Sequence, residues 1–256
     1  MGLLLALSGA IPALVVMGFI DRFDAKRPEP RQALRRVALL GGLSTIPAIV
    51  IEQVLTAVGP TAGAPAALWS AFVVAALTEE SMKAWVVYRV VWRAPAFDER
   101  LDGIVYATRA GLGFALVENV GYLLGTHGGG DFVWVFLLRA VLAVPGHAIY
   151  AGFMGYWAAR RRFDRVGPGL WGGLLIAIVL HGAYDGALFL VDVVVKAGEP
   201  LWVLPLVLVP VAVVIGGYRR LRRHAAEALR LDDLAFARAA EGARLRLPLG
   251  MGFTLR

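Results

Sequence analysis

The stretch that decides the fold is 68-LWSAFVVAALTEESMKAWVVYRVV-91, an apolar segment with Glu79, Glu80 and Lys83 at its middle. Its length suffices to cross a bilayer, which takes about 20 residues as a helix. An ionised carboxylate at that depth costs at least ~2.5–3.5 kcal/mol, so such residues persist where they pair or perform a function. Three later apolar segments carry matching polar groups: Glu118-Asn119, then His147, then His181 with Asp185. Together they read as one polar cluster inside a hydrophobic protein.

Composition agrees. Apolar residues make up 59% of the 256 and charged residues 18%, with a mean hydropathy of +0.68; soluble domains sit near 45–50% and 25%. The chain reads as all-α, a polytopic transmembrane helical bundle. Long continuous apolar runs argue against a transmembrane β-barrel, whose strands alternate over about 10 residues. With no cysteine, disulfides, zinc–thiolate sites and thiol nucleophiles are excluded.

About seven segments are long enough to span, running roughly Leu3–Ile20, Val37–Val58, Leu68–Val91, Gly103–Gly125, Phe132–Ala158, Leu170–Val191 and Leu201–Tyr218. The net charge of +7 suggests nucleic acid at first sight, but the charges sort by loop. Arg22, Lys26, Arg27, Arg31, Arg35 and Arg36 follow the first segment, Arg93 and Arg100 the third, Arg160, Arg161, Arg162 and Arg165 the fifth, and Arg219, Arg220, Arg222 and Arg223 the last. The alternate loops hold only Lys196. Positive charge stays cytoplasmic. The expected topology is therefore N-terminus outside and C-terminus inside, in contact with lipid and without a nucleic-acid partner. Residues 1–218 form the bundle, with the active-site core at 68–190. Residues 219–256 form a basic cytoplasmic tail, expected as an amphipathic surface helix.

Depth and spacing point to chemistry. Glu79 and Glu80 lie about 11–12 residues from the outer end of their segment, roughly 17 Å at 1.5 Å per residue. Glu118, His147 and His181 reach a comparable middle or outer-middle depth. Lys83 follows Glu80 by three residues and Glu79 by four, so one helix face gathers two carboxylates and an ammonium. The lysine can neutralise one glutamate and leave the other to act as general base. Asp185, four residues after His181, can orient that imidazole or join it as a metal ligand. Glu52 and Arg109 lie near segment ends and are expected to snorkel; Arg139 is deeper and expected to pair with a carboxylate. His127 and His224 fall in a loop and in the tail.

The order Glu79-Glu80-x-x-Lys83, Asp102-Gly103-Ile-Val-Tyr with Gly-Leu-Gly-Phe114-x-x-x-Glu118-Asn119, Pro145-Gly-His147-Ala and His181-x-x-x-Asp185 resembles the PrsW family of intramembrane proteases. It is more distantly similar to the CAAX prenyl endopeptidases and bacterial CPBP proteins, which carry Glu-Glu-x-x-x-Arg, Phe-x-x-x-His and His-x-x-x-Asn. The basic residue here is Lys83 at shorter spacing, and Glu118 stands where the distant relatives carry histidine. The likeness covers about Leu68 to Leu190.

The resemblance implies a multi-pass endopeptidase of a bacterial cell membrane that makes the first, extracytoplasmic cut in a single-span protein such as an anti-sigma factor. By the same analogy Glu79 activates the water, and Glu80 pairs with Lys83. Glu118, His147 and His181 bind a divalent metal such as Zn²⁺ or, without one, stabilise the oxyanion, and Asp185 orients His181. A proton-coupled transporter would also line a bundle with Glu, His and Asp, but more often with inverted halves. A non-catalytic membrane scaffold is the other alternative.

Overall fold

A computed structural model describes residues 2–245; the expected tail's last stretch, 246–256, lies outside the described residues. Those described form helices and loops with no strand among them. The elements are α1 (Leu3–Leu7), α2 (Ala10–Ile20), α3 (Arg31–Leu43), α4 (Thr45–Val58), α5 (Gly63–Trp69), a π-helical stretch Ser70–Leu77, and α6 (Thr78–Val90). There follow α7 (Arg100–Leu124), α8 (Gly129–Leu138), a π-helical turn Arg139–Ala143, α9 (Val144–Asp164), α10 (Gly169–Lys196) and α11 (Val203–Leu245).

Among the described residues four helices are long and apolar enough to cross a membrane: Arg31–Val58, Gly129–Asp164, Gly169–Lys196 and Pro200–Glu241. The apolar Leu5–Ile20 is shorter. The third and fourth expected spans fall outside this set for a physical reason. They carry the most charge, Glu79, Glu80 and Lys83 on one and Arg109 and Glu118 on the other, and the other helices screen them. Glu79, Glu80 and Lys83 are buried, and so is every residue of α7 from Leu101 to Ala115. By contrast Ile46, Val50, Val54, Val141, Leu175 and Leu208 face outward, exposed. Polar inside and apolar outside is the arrangement a hydrocarbon solvent demands.

α7 is the axis of the bundle, with α9 and α3 against it. A helix enclosed on all sides needs small residues where its neighbours approach. At the crossing with α9, a Cβ on Gly155 would stand 1.8 Å from the Gly103 carbonyl oxygen, and one on Gly103 would stand 2.3 Å from that of Gly155. The two backbones are in direct contact, and neither position has room for a methyl group.

The start of α7 is fixed three times over. Asp102 Oδ2 accepts hydrogen bonds from the backbone N–H of Asp98 and Glu99, both at 2.8 Å, closing a capping box with Glu99. Asp232 accepts from the N–H groups of Arg100 and Leu101 at 3.0 and 3.1 Å. Asp232 belongs to the tail, so the tail caps the axial helix, an acid placed where the helix dipole favours it. The tail is the continuation of α11. Its inner face buries Leu221, Ala225 and Ala228, and His224 stacks on Tyr156 with ring centroids 3.9 Å apart.

Gly155→Val must push α7 and α9 apart. We expect it to cost about 3 kcal/mol, a fall in melting temperature of roughly 6–12 °C at this chain length. Gly121→Ala, where a Cβ meets nothing within 4 Å, should instead be neutral or stabilising. Thermal unfolding of both variants in detergent checks the contrast; equal melting temperatures would rule out the direct backbone contact.

Candidate active site

Two π-helical stretches precede the site. Ser70–Leu77 leads into Glu79 and Glu80, and Arg139–Ala143 into Pro145-Gly146-His147. The second has an evident cause: Pro145 has no N–H for the carbonyl four residues back, and its ring displaces that carbonyl, so the turn widens. π-turns of this kind re-aim the side chains that follow them.

At the centre stands the Lys83 ammonium, fully buried. It donates to Glu80 Oε1 at 2.7 Å, to Glu79 Oε2 at 3.1 Å and to His147 Nδ1 at 2.8 Å, and it lies 4.5 Å from the centre of the Phe114 ring. His147 Nδ1 accepts from Lys83, so its Nε2 carries the hydrogen and points to Glu118 Oε2 at 2.8 Å. Arg139 reaches the same Glu118 oxygen at 2.8 Å and donates from Nε to Asn119 Oδ1 at 2.5 Å. Asn119 Nδ2 in turn donates to the Gly9 carbonyl at 2.9 Å, at the break between α1 and α2. His181 is held from both sides, Nδ1 to Glu80 Oε1 at 2.9 Å and Nε2 to Asp185 Oδ2 at 3.2 Å. The ring centroids of His147 and His181 are 5.3 Å apart.

All six residues singled out from the sequence thus meet in one network, drawn from α6, α7, α9 and α10. Unit charges 4 Å apart attract by about 4 kcal/mol at an effective dielectric near 20, so these contacts, mostly shorter, dominate the local energetics. The network adjoins a cavity of about 690 Å³. Glu79, Glu118, His147, His181 and Asp185 line it, whereas Glu80 does not. Adjacent residues on a helix point about 100° apart, which separates the two glutamates: one faces the cavity and the other is enclosed behind it. The cavity extends past Glu52 to Tyr122 and Leu188, toward the ends of α4, α7 and α10, where Lys196 is the only Lys or Arg of the connecting loops. Glu52, expected to snorkel, is part of its wall. Arg109 pairs with Asp21, and His224 lies away from the site in the tail.

Two groups of donor atoms among the described residues are close enough to share an ion: Glu79 with Glu118 and His147, and Glu79 with Glu80 and His181. Each places a single ligand atom per residue within 4.8 Å of the others. The set suggested by the resemblance is thereby divided. Glu118 and His147 fall in one group and His181 in the other, with Glu79 common to both. Imidazole and carboxylate donors opening on a cavity suit a borderline divalent ion that keeps a water position. The first group fits better, because all three of its members line the cavity; His147 joins it through Nε2 once that nitrogen gives up its hydrogen.

A buried carboxylate–histidine cluster of this kind, enclosed by helices with apolar outer faces, is compatible with an intramembrane protease, and comparison with known proteins identifies the family. The chain belongs to the PrsW family: the pattern described as "PrsW family intramembrane metalloprotease" matches residues 29–215. It is 37% identical over 180 residues to Protease PrsW of Geobacillus kaustophilus, covering 70% of this chain and 76% of the relative. It is 32% identical to its counterparts in Clostridioides difficile (71% and 77% covered) and Bacillus subtilis (70% and 79%). No solved structure matches the chain. The protein is a membrane peptidase of a family described as metalloproteases.

Metal analysis of the purified protein separates the two donor groups. If Glu79, Glu118 and His147 hold the ion, wild type carries near-stoichiometric divalent metal, Glu118→Gln and His147→Ala lose it, and His181→Ala retains it. Loss in His181→Ala with retention in Glu118→Gln would move the ion to the other group.

Proposed function

We propose that this chain cuts a single-span membrane protein by a water molecule activated at Glu79. One observation carries the reading. Glu79 lines the cavity with Oε2 anchored by Lys83, and its Oε1 makes no hydrogen bond among the described residues. Glu80, by contrast, is fully buried between Lys83 and His181. A base needs one oxygen oriented and the other open to water; Glu79 meets both conditions, whereas Glu80 meets only the first, its Oε2 being buried.

The scissile peptide enters the cavity with its carbonyl carbon beside the water. Glu79 takes a proton as the water oxygen bonds to that carbon, and the carbonyl oxygen gains the negative charge. His181, held by Glu80 at Nδ1, turns its Nε2 hydrogen from Asp185 to that oxygen and stabilises the charge. The carbon–nitrogen bond then breaks, and Glu79 returns the proton to the departing amine. The residues that would hold a divalent ion here, zinc in the first place, are Glu118 and His147 with one oxygen of Glu79, the other oxygen remaining the base; such an ion would polarise the carbonyl and acidify the water. Arg139, fixed by Asn119, holds Glu118 in place for that task.

The loop charges support seven spans with the basic tail in the cytoplasm. The cavity then opens toward the outer side, in keeping with an extracytoplasmic cut in a single-span substrate of the anti-sigma class, in a bacterial cell membrane.

The two glutamates predict different failures. Glu79→Gln keeps size and most hydrogen bonding but removes the base, so turnover should fall at least about 10²-fold with the melting temperature little changed. Glu80→Gln removes a partner from a buried charge cluster at about 3 kcal/mol, lowering the melting temperature by roughly 6–12 °C with partial activity retained. The assay is cleavage of the quenched-fluorescence peptide that wild type cuts fastest from a mixed-sequence library, beside thermal unfolding. Wild-type turnover by Glu79→Gln refutes the assignment, and a reversed pattern moves the base to Glu80.

A further inference from the structure

The Tyr150 side chain lines the active-site cavity and is 2% exposed, yet its hydroxyl has no hydrogen-bond partner among the described residues. An unpaired buried hydroxyl costs about 1–3 kcal/mol, and buried polar groups left in this state are few. The surroundings hold the ring firmly. It stacks on His181 with centroids 5.0 Å apart and planes at 19°, and it flanks His147 at 6.3 Å. The hydroxyl rests over Gly146, where an added Cβ would stand 2.8 Å from it. The glycine of Pro145-Gly146-His147 therefore leaves space for that oxygen one residue from His147, enclosed behind the wall of the cavity that Glu79 also lines. A rigid donor with nothing to donate to, placed beside both histidines, has an unmet partner.

We infer that Tyr150 donates its hydroxyl hydrogen to the scissile carbonyl oxygen as that oxygen becomes the oxyanion, beside His181. No proton is transferred: the O–H bond persists, and the hydrogen bond strengthens as charge develops on the substrate oxygen. Such a donor acts on the transition state far more than on the bound ground state. The inference rests on the site being the peptidase centre, as proposed above.

Tyr150→Phe is a clean test because the hydroxyl supports nothing in the resting protein. The ring, its stacking and its volume all remain. Full-length Tyr150→Phe, assayed in detergent on the peptide selected with wild type, should show kcat lowered about 10²–10³-fold and KM within about threefold. The melting temperature should stay at or slightly above that of wild type, since an unsatisfied group has been removed. Retained kcat in Tyr150→Phe, alongside an inactive Glu79→Gln, overturns the inference and leaves the peptidase centre standing. A lowered melting temperature together with a raised KM also overturns it, since that pattern marks a structural hydroxyl. Wild-type turnover by Glu79→Gln would instead overturn the reading of the centre itself.

Discussion

The rest of this structure depends on one buried ammonium. Lys83 has no access to water, and a lone charge there would be prohibitive in cost. Its contacts to Glu79, Glu80 and His147 satisfy all three of its donors. The same contacts set the register of α6 against α9, and through His181 against α10. Each carboxylate that neutralises the lysine is thereby given a different fate. Glu80 is consumed in the pairing, and Glu79 keeps one oxygen for chemistry. A structural ion pair and, in the proposed mechanism, a catalytic base are thus two consequences of a single placement.

The bundle around this centre is built to exclude lipid and to approach closely. α7 carries Glu118 and Asn119 on its far half, while its near half is buried on all sides. Direct backbone contact at Gly103 and Gly155 brings α9 close enough for His147 to reach both Lys83 and Glu118. The tail contributes at the opposite end, where Asp232 caps α7. Charge at the basic-loop end therefore fixes the position of the helix whose other half bears the site.

Much of this was legible in the sequence because hydrophobic patterning and helical spacing are local. The helical class, the four polar stations and the Glu-Lys and His-Asp faces all follow from periodicity and composition. Distances between helices leave no such trace. Nothing in the spacing separates His181 from the Glu118–His147 pair; that division arises because Glu80 and Asp185 hold His181 from both sides. The role of Asn119, which joins Arg139 to the Gly9 carbonyl, depends on the break in the first apolar segment, where Ser8-Gly9 was a weak signal. Glu52 reads as a snorkelling end residue by position, yet the crossing of α4 turns it into the cavity wall. Pro145 was the one visible marker of a widened turn ahead of His147, and Tyr150 carries no sequence signal that sets it apart from a core tyrosine.

The central claim is that a water activated at Glu79 cuts a membrane-anchored protein, and a comparison of membrane proteomes tests it most directly. Cells producing wild type or Glu79→Gln at equal levels are fractionated, and their single-span proteins are compared by the size and terminus of each product. The account predicts at least one single-span protein that is cut in wild type and accumulates whole in Glu79→Gln. Identical processing of every single-span protein in the two strains, with both variants folded in the membrane, would contradict it.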